Sequence, residues 1–146
     1  MIVLAVILSF VLLLITTLHV YWGIGGIWPG RDQASCARAV VGFRGVDEMP
    51  STFASLAVAA CLALATLWPL ALAGVFATPF PREGLAATAL MIGLVFLGRG
   101  TAGFTPWWRR LAPEQPFARL DQRLYSPLCL LIGLGFAVLA ITEFPA

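Results

Sequence analysis

The sequence predicts an all-α integral membrane protein, a four-helix bundle with both termini on the same side. Three observations carry that prediction. Hydrophobic residues make up 60% of the chain and charged residues 11%, with a mean hydropathy of +0.93. A soluble domain carries about 25% charged residues. Four runs approach the roughly 20 apolar residues that a helix needs to cross a bilayer. Backbone polar groups cannot stay unpaired in hydrocarbon, so such runs read as helices. Residues 1–146 form a single four-span domain, with spans at about 2–22, 51–76, 84–103 and 125–142.

The first span, Ile2 to Trp22, is free of charge and closes on His19-Val20-Tyr21-Trp22, which holds the only histidine. A signal peptide would have a basic start, a shorter apolar run and a small-x-small cleavage site. None is present, so the run reads as a retained span. A polar stretch follows, Gly23 to Pro50. The second span opens at Ser51 or Thr52 as cap and runs to Phe76, with Pro69 expected to kink it. Ala77 to Glu83 form a turn containing Pro79 and Pro81. The third span is Gly84 to Gly103, and a second polar stretch is Phe104 to Leu124. The fourth span is Tyr125 to Thr142, with Ser126 as helix cap and Pro127 in the first turn. Small residues four apart allow close helix approach: Ser55, Ala59 and Ala63; Ala89 and Gly93; Gly133 and Ala137.

Arginine sets the orientation. Arg31, Arg38 and Arg44 lie in the first polar stretch; Arg99, Arg109, Arg110, Arg119 and Arg123 lie in or beside the second. Only Arg82 falls in the short turn. Positive loops stay cytoplasmic, so the long loops are expected inside and the termini outside. Trp22, Trp28, Trp107 and Trp108 fall at that same end and Trp68 near the other, which suits belts of interfacial aromatics.

Several function classes are excluded. A net charge of +2 is too small for nucleic-acid binding. Cys36, Cys61 and Cys129 form no C-x-x-C pair, and one histidine completes no zinc site. Ser126 lacks the glycine elbow of a hydrolase nucleophile. Gly23, Gly25 and Gly26 lack the spacing of a phosphate loop.

What remains is a polar cluster at the arginine-rich end: His19, Tyr21, Trp22, Trp28, Arg99, Asp121 and Tyr125. The other end offers only Arg82, Glu83 and Glu143. Ionisable groups at membrane depth are costly and mark candidate sites. His19 has three readings: an interfacial hydrogen-bonded ring, an acid–base or substrate contact, or a single axial ligand to a tetrapyrrole. Arg99, between Gly98 and Gly100, reads as a clamp for phosphate or carboxylate, as a snorkelling side chain, or as a partner of Asp121. Asp121 precedes Tyr125 by one helical turn and has Arg119 and Arg123 close in sequence for a surface ion pair.

These motifs carry a resemblance. His19-Val20-Tyr21-Trp22 with Trp28-Pro29, Arg99-Gly100 with Gly103, Phe117-Ala118-Arg119-Leu120-Asp121, and Tyr125-Ser126-Pro127-Leu128-Cys129 resemble the small bacterial membrane family known as domain of unknown function 3995. The likeness covers nearly the whole chain. Members of that family have a more aromatic and acidic segment after the arginine, where this chain has Thr101 to Pro106, so no site residue is carried across to that stretch. The resemblance implies a fold and a location and supplies no activity.

Two functions fit these residues. One is a structural or accessory subunit of a membrane complex, or a homo-oligomer, with the lipid bilayer as its other partner. The other is binding or catalysis on a lipid or amphipathic small molecule at the polar cluster. No motif names a reaction, and no metal or cofactor is expected beyond the tetrapyrrole reading of His19.

Overall fold

The computed structural model describes residues 1–143, and all their regular structure is helical. Four long helices dominate: α1 (Ile2–Gly23), α3 (Thr52–Leu72), α4 (Arg82–Ala102) and α7 (Ser126–Glu143). Short helices sit in the two polar stretches: α2 (Gln33–Val40), α5 (Pro106–Leu111) and α6 (Phe117–Leu120). A single π-helical turn, Asp121–Tyr125, joins α6 to α7. Four segments are long and apolar enough to cross a membrane: Ile2–Gly23, Thr52–Leu72, Arg82–Ala102 and Phe117–Thr142. The side chain of Glu143 lies outside the described residues.

The long helices form two antiparallel pairs. In the first, the Ser9 hydroxyl of α1 donates to the Thr66 carbonyl of α3 at 2.7 Å, and Gly23 meets Ser55 and Leu56 at the other end. In the second, Gly93 of α4 lies against Gly133 and Phe136 of α7, and Gly100 against Leu130. The shared core contains Leu12, Leu72, Ile132, Phe136 and Leu139, all essentially buried. Phe96 and Phe136 stack nearly parallel, with centroids 6.4 Å apart. The expected small-residue faces are used unevenly. Ser55, Ala59, Ala89, Gly93 and Gly133 are buried, whereas Ala63 is exposed.

Three boundaries differ from the sequence reading. α3 ends at Leu72 because Gly74 takes a positive φ of 72°, and the Gly74 and Val75 amides return to the Ala71 and Leu70 carbonyls. This is the glycine stop that satisfies orphan carbonyls. α4 begins two residues early at Arg82, whose guanidinium donates to the Leu72 carbonyl at 3.2 Å. The last span starts at Phe117, not Tyr125, so Ser126 is interior to a continuous helix and not its cap. Pro127 has no N–H to offer the preceding turn. There the Ser126 amide bonds the Asp121 carbonyl in a widened π turn.

The two polar stretches fold against each other. The Arg44 amide donates to the Leu111 carbonyl, the Glu114 amide to the Gly42 carbonyl, and the Gly45 amide to Glu114 Oε1 at 3.0 Å. Gly42, at φ +72°, presses onto the Phe117 ring, where any side chain would collide. α2 is held by a reciprocal cap in which Asp32 and Ser35 each bond the other's amide. These bonds from Ser35 keep the Asp32 carboxyl below its ordinary value of 3.8.

Two predictions follow from the packing. A methyl at Gly133 would stand 2.7 Å from Leu97 Cγ and 2.8 Å from the Gly93 carbonyl oxygen, while one at Gly98 would meet open space. Gly133→Ala should therefore cost about 1–3 kcal/mol by overpacking, and Gly98→Ala should not, as read by thermal unfolding in detergent. The lowered Asp32 pKa makes its cap fully effective above pH 3.8 and lost as pH falls through the lowered folded value. Hydrogen-exchange protection across α2 should hold down to that range and then drop. Asp32→Asn should abolish the pH dependence, and an identical drop in that variant would refute the assignment.

Candidate functional site

Asp121 lies at the centre of the polar cluster. It is 2% exposed and sits on the π turn. Its two carboxylate oxygens receive donors from three elements. Arg99 Nη2 of α4 reaches Oδ1 at 2.6 Å, and the Ser126 hydroxyl of α7 donates to the same oxygen at 3.1 Å. Trp108 Nε1 of α5 donates to Oδ2 at 2.9 Å. Arg99 Nη1 also donates to Ser126 Oγ at 3.3 Å, and the guanidinium carbon lies 4.6 Å from the Trp108 ring centroid. The cation is thus held by a carboxylate, a hydroxyl and an aromatic face, all of which favour it.

Local sequence arranges each part. Thr105 caps α5 by accepting the Trp108 amide, with Pro106 next in the chain, and this aims Trp108 inward. Gly103 leaves room beside Asp121. A Cβ there would be 2.8 Å from Asp121 Oδ2 and would collide with Ser126 Oγ. The widened turn brings Asp121 and Ser126 together across five positions. Such turns recur at functional sites, and here the turn builds a hydrogen bond.

A second group surrounds His19. Its Nδ1 lies 2.8 Å from the Ile15 carbonyl. A carbonyl only accepts, so Nδ1 carries a proton and donates it to Ile15. The imidazole meets Trp22 edge-on, centroids 5.2 Å apart. Trp22 Nε1 donates to the Trp28 carbonyl at 2.7 Å, and the Trp28 amide donates to the Tyr21 hydroxyl at 3.4 Å. The buried Cys36 thiol donates to the same Trp28 carbonyl at 3.6 Å. Burial pushes that thiol up from its ordinary value, so it stays protonated at neutral pH.

The candidate residues thus fall into two groups, His19, Tyr21, Trp22 and Trp28 in one, Arg99 and Asp121 in the other. Among the described residues, no hydrogen bond, ion pair or ring contact joins them. Tyr125 belongs to the loop layer: its hydroxyl donates to the Ala39 carbonyl at 3.2 Å, and its ring packs on Phe117. Asp121 pairs with Arg99 and not with Arg119 or Arg123, although these are closer in sequence. Trp108 and Ser126 are site residues that the sequence reading assigned to a belt and to a cap. The Thr105-Pro106 helix start was the one local signal that Trp108 is directed. Trp28 and Trp107 remain mostly exposed, as belt residues would be.

Four membrane-length helices, the last two tied at one end by a partly buried ion pair, define a multi-pass helical membrane protein. The chain belongs to the family described as protein of unknown function DUF3995, whose model matches residues 12–136. The match includes every residue of both groups. No curated protein and no solved structure matches the chain.

Arg99 and Asp121 should prove energetically coupled. Truncating one partner of a buried pair strands the other charge. Arg99 is 31% exposed, so solvent screening reduces the effect. A double-mutant cycle of Arg99→Ala and Asp121→Ala should give a coupling of about 1–2 kcal/mol in detergent unfolding. Additive losses would show that the pair contributes geometry without net attraction.

Proposed function

We propose that this protein is a structural or accessory subunit of a larger assembly in a bacterial inner membrane, with long loops cytoplasmic and both termini outside. One observation carries the reading. Arg99, Asp121 and Tyr125, with Trp108 and Ser126, are bonded to other protein atoms, and no buried side-chain polar atom is unpartnered among the described residues. A catalytic centre keeps donors and acceptors aimed at its ligand. The alternative, a lipid or amphipathic molecule bound at the polar cluster, finds less support because Arg99, Asp121 and Tyr125 are occupied. The arginine asymmetry supports the orientation. In this reading no reaction and no resident cofactor is assigned, and His19 is an interfacial hydrogen-bonded ring, which its contacts with the Ile15 carbonyl and Trp22 support.

The partner is a transmembrane helix or a second copy of this chain, docked across α3 and α4. There a shallow apolar groove of about 390 Å³ is lined by Ala57, Cys61, Ala65, Val95 and Phe96, among others. Ala57, Cys61 and Ala65 repeat every four residues, the spacing that lets a second helix approach closely in lipid.

Extraction of the tagged protein from its own membranes in mild detergent, followed by mass determination, tests this reading. The expected result is a stoichiometric complex heavier than the 15.6 kDa chain, disrupted by Cys61→Leu while the monomer stays folded. A lone monomer under conditions that preserve other membrane complexes would overturn it. The same preparation should show no Soret band. A band that disappears in His19→Ala would make His19 an axial ligand instead.

A further inference from the structure

Five of the arginines at the loop end lie in or beside the second polar stretch, and they are not equivalent. Arg99 is bound to Asp121. Three others, Arg109 of α5, Arg119 of α6 and Arg123 of the π turn, line one open cleft of about 590 Å³ with the amides of Gln115 and Gln122. All three arginines are exposed. None has a carboxylate within ion-pair distance among the described residues. The two nearest acids in sequence are occupied elsewhere, Glu114 by the Gly45 amide and Asp121 by Arg99, Trp108 and Ser126. The lining is therefore rich in donors and free of acidic groups.

A topology signal requires only that arginine be present in the loop. It does not require arginines of three consecutive elements to line one cleft, where their like charges repel. An anion removes that repulsion, and planar guanidiniums bond phosphate oxygens in pairs. The same segments also expose Trp107 and Leu124, at 66% and 53%, and Trp107 is of the type that sits at headgroup level.

We propose that the cleft between α5 and the α6–π turn segment binds a phosphate group through Arg109, Arg119 and Arg123. The phosphate is that of an anionic lipid headgroup or of a free phosphate ion. The site is independent of the accessory role, since it uses neither the α3–α4 groove nor any residue of the buried network.

The test uses the full chain purified in neutral detergent. Binding of short-chain phosphatidylglycerol, short-chain phosphatidylcholine and inorganic phosphate is measured by native mass spectrometry and by thermal shift. The variants are Arg119→Gln/Arg123→Gln and, on a separate helix, Arg109→Gln. The control, Arg31→Gln/Arg44→Gln, removes as much charge as the double variant from exposed positions of the other loop. The expected result is a preference for phosphatidylglycerol over phosphatidylcholine of about tenfold or more, lost in the cleft variants and kept in the control. Saturable binding of inorganic phosphate that depends on the same arginines assigns the site to the free ion; dependence seen only with the lipid assigns it to the headgroup. A preference that survives in the cleft variants, or falls equally in the control, overturns the proposal. Should the double variant fail to fold, Arg109→Gln decides the question alone.

Discussion

The carboxylate of Asp121 is the point on which the loop end of this protein depends. A buried charge of this kind is tolerated only when its lone pairs are filled. Arg99, Trp108 and Ser126 fill them, and each belongs to a different helix. The requirement therefore acts as a clamp. It sets the ends of α4 and α7 at a fixed separation, and it draws the short helix α5 back onto them. Gly103 follows from the same constraint, because any larger residue would occupy the space in which the carboxylate and the hydroxyl meet.

The clamp also explains the loop layer. With Trp108 held inward, its ring is available to Phe43, which it meets edge-on with centroids 6.2 Å apart. The connection after α5 then passes close enough to the segment after α2 for the backbone bonds between Gly42, Arg44, Leu111 and Glu114. Tyr125, one turn beyond Asp121, reaches the end of α2. Two polar stretches, the first of them rich in glycine, become one folded cap through these few long-range contacts. The His19 group supports the cap from the other side: Trp28 receives bonds from Trp22 and Cys36 and gives one to Tyr21, tying the first loop to the end of α1.

Hydropathy made the four membrane-length helices legible in the sequence, because lipid imposes a length and an apolar composition that few other folds share. The start of the last one was not legible. Ser126-Pro127 has the residue types of a helix N-terminus, and only the bonds of Ser126 to Asp121 and to Arg99, 27 residues earlier in the chain, show that it is needed inside. Arg99 and Asp121 were recognisable as candidates because charge is rare in such a chain, and their pairing was one of several readings open. Trp108 was obscured by its surroundings: beside Trp107 and two arginines it reads as an interfacial anchor. Its inward turn is decided by the Thr105 cap together with an acceptor 13 residues away. Pattern reveals which residue types are costly, and only the tertiary fold reveals which of them are spent on each other.

That distinction divides the positive charge at this end into two kinds. Arg99 is neutralised inside the protein, and its cation contributes to holding helices together. Arg109, Arg119 and Arg123 are exposed on α5, α6 and the π turn and are neutralised by nothing in the described residues. The two kinds are linked through the π turn. Asp121 points inward from it, while Arg119 and Arg123 flank Asp121 at two residues on either side and face the cleft. If Asp121 had paired with either neighbour, as proximity in sequence suggests, Arg99 would be stranded in the bundle and the cleft would lose a cation. Burying Asp121 against the distant Arg99 therefore closes the bundle and leaves an unopposed basic rim outside it. The same choice of partner thus determines how the helices are fixed and what the outer surface can attract.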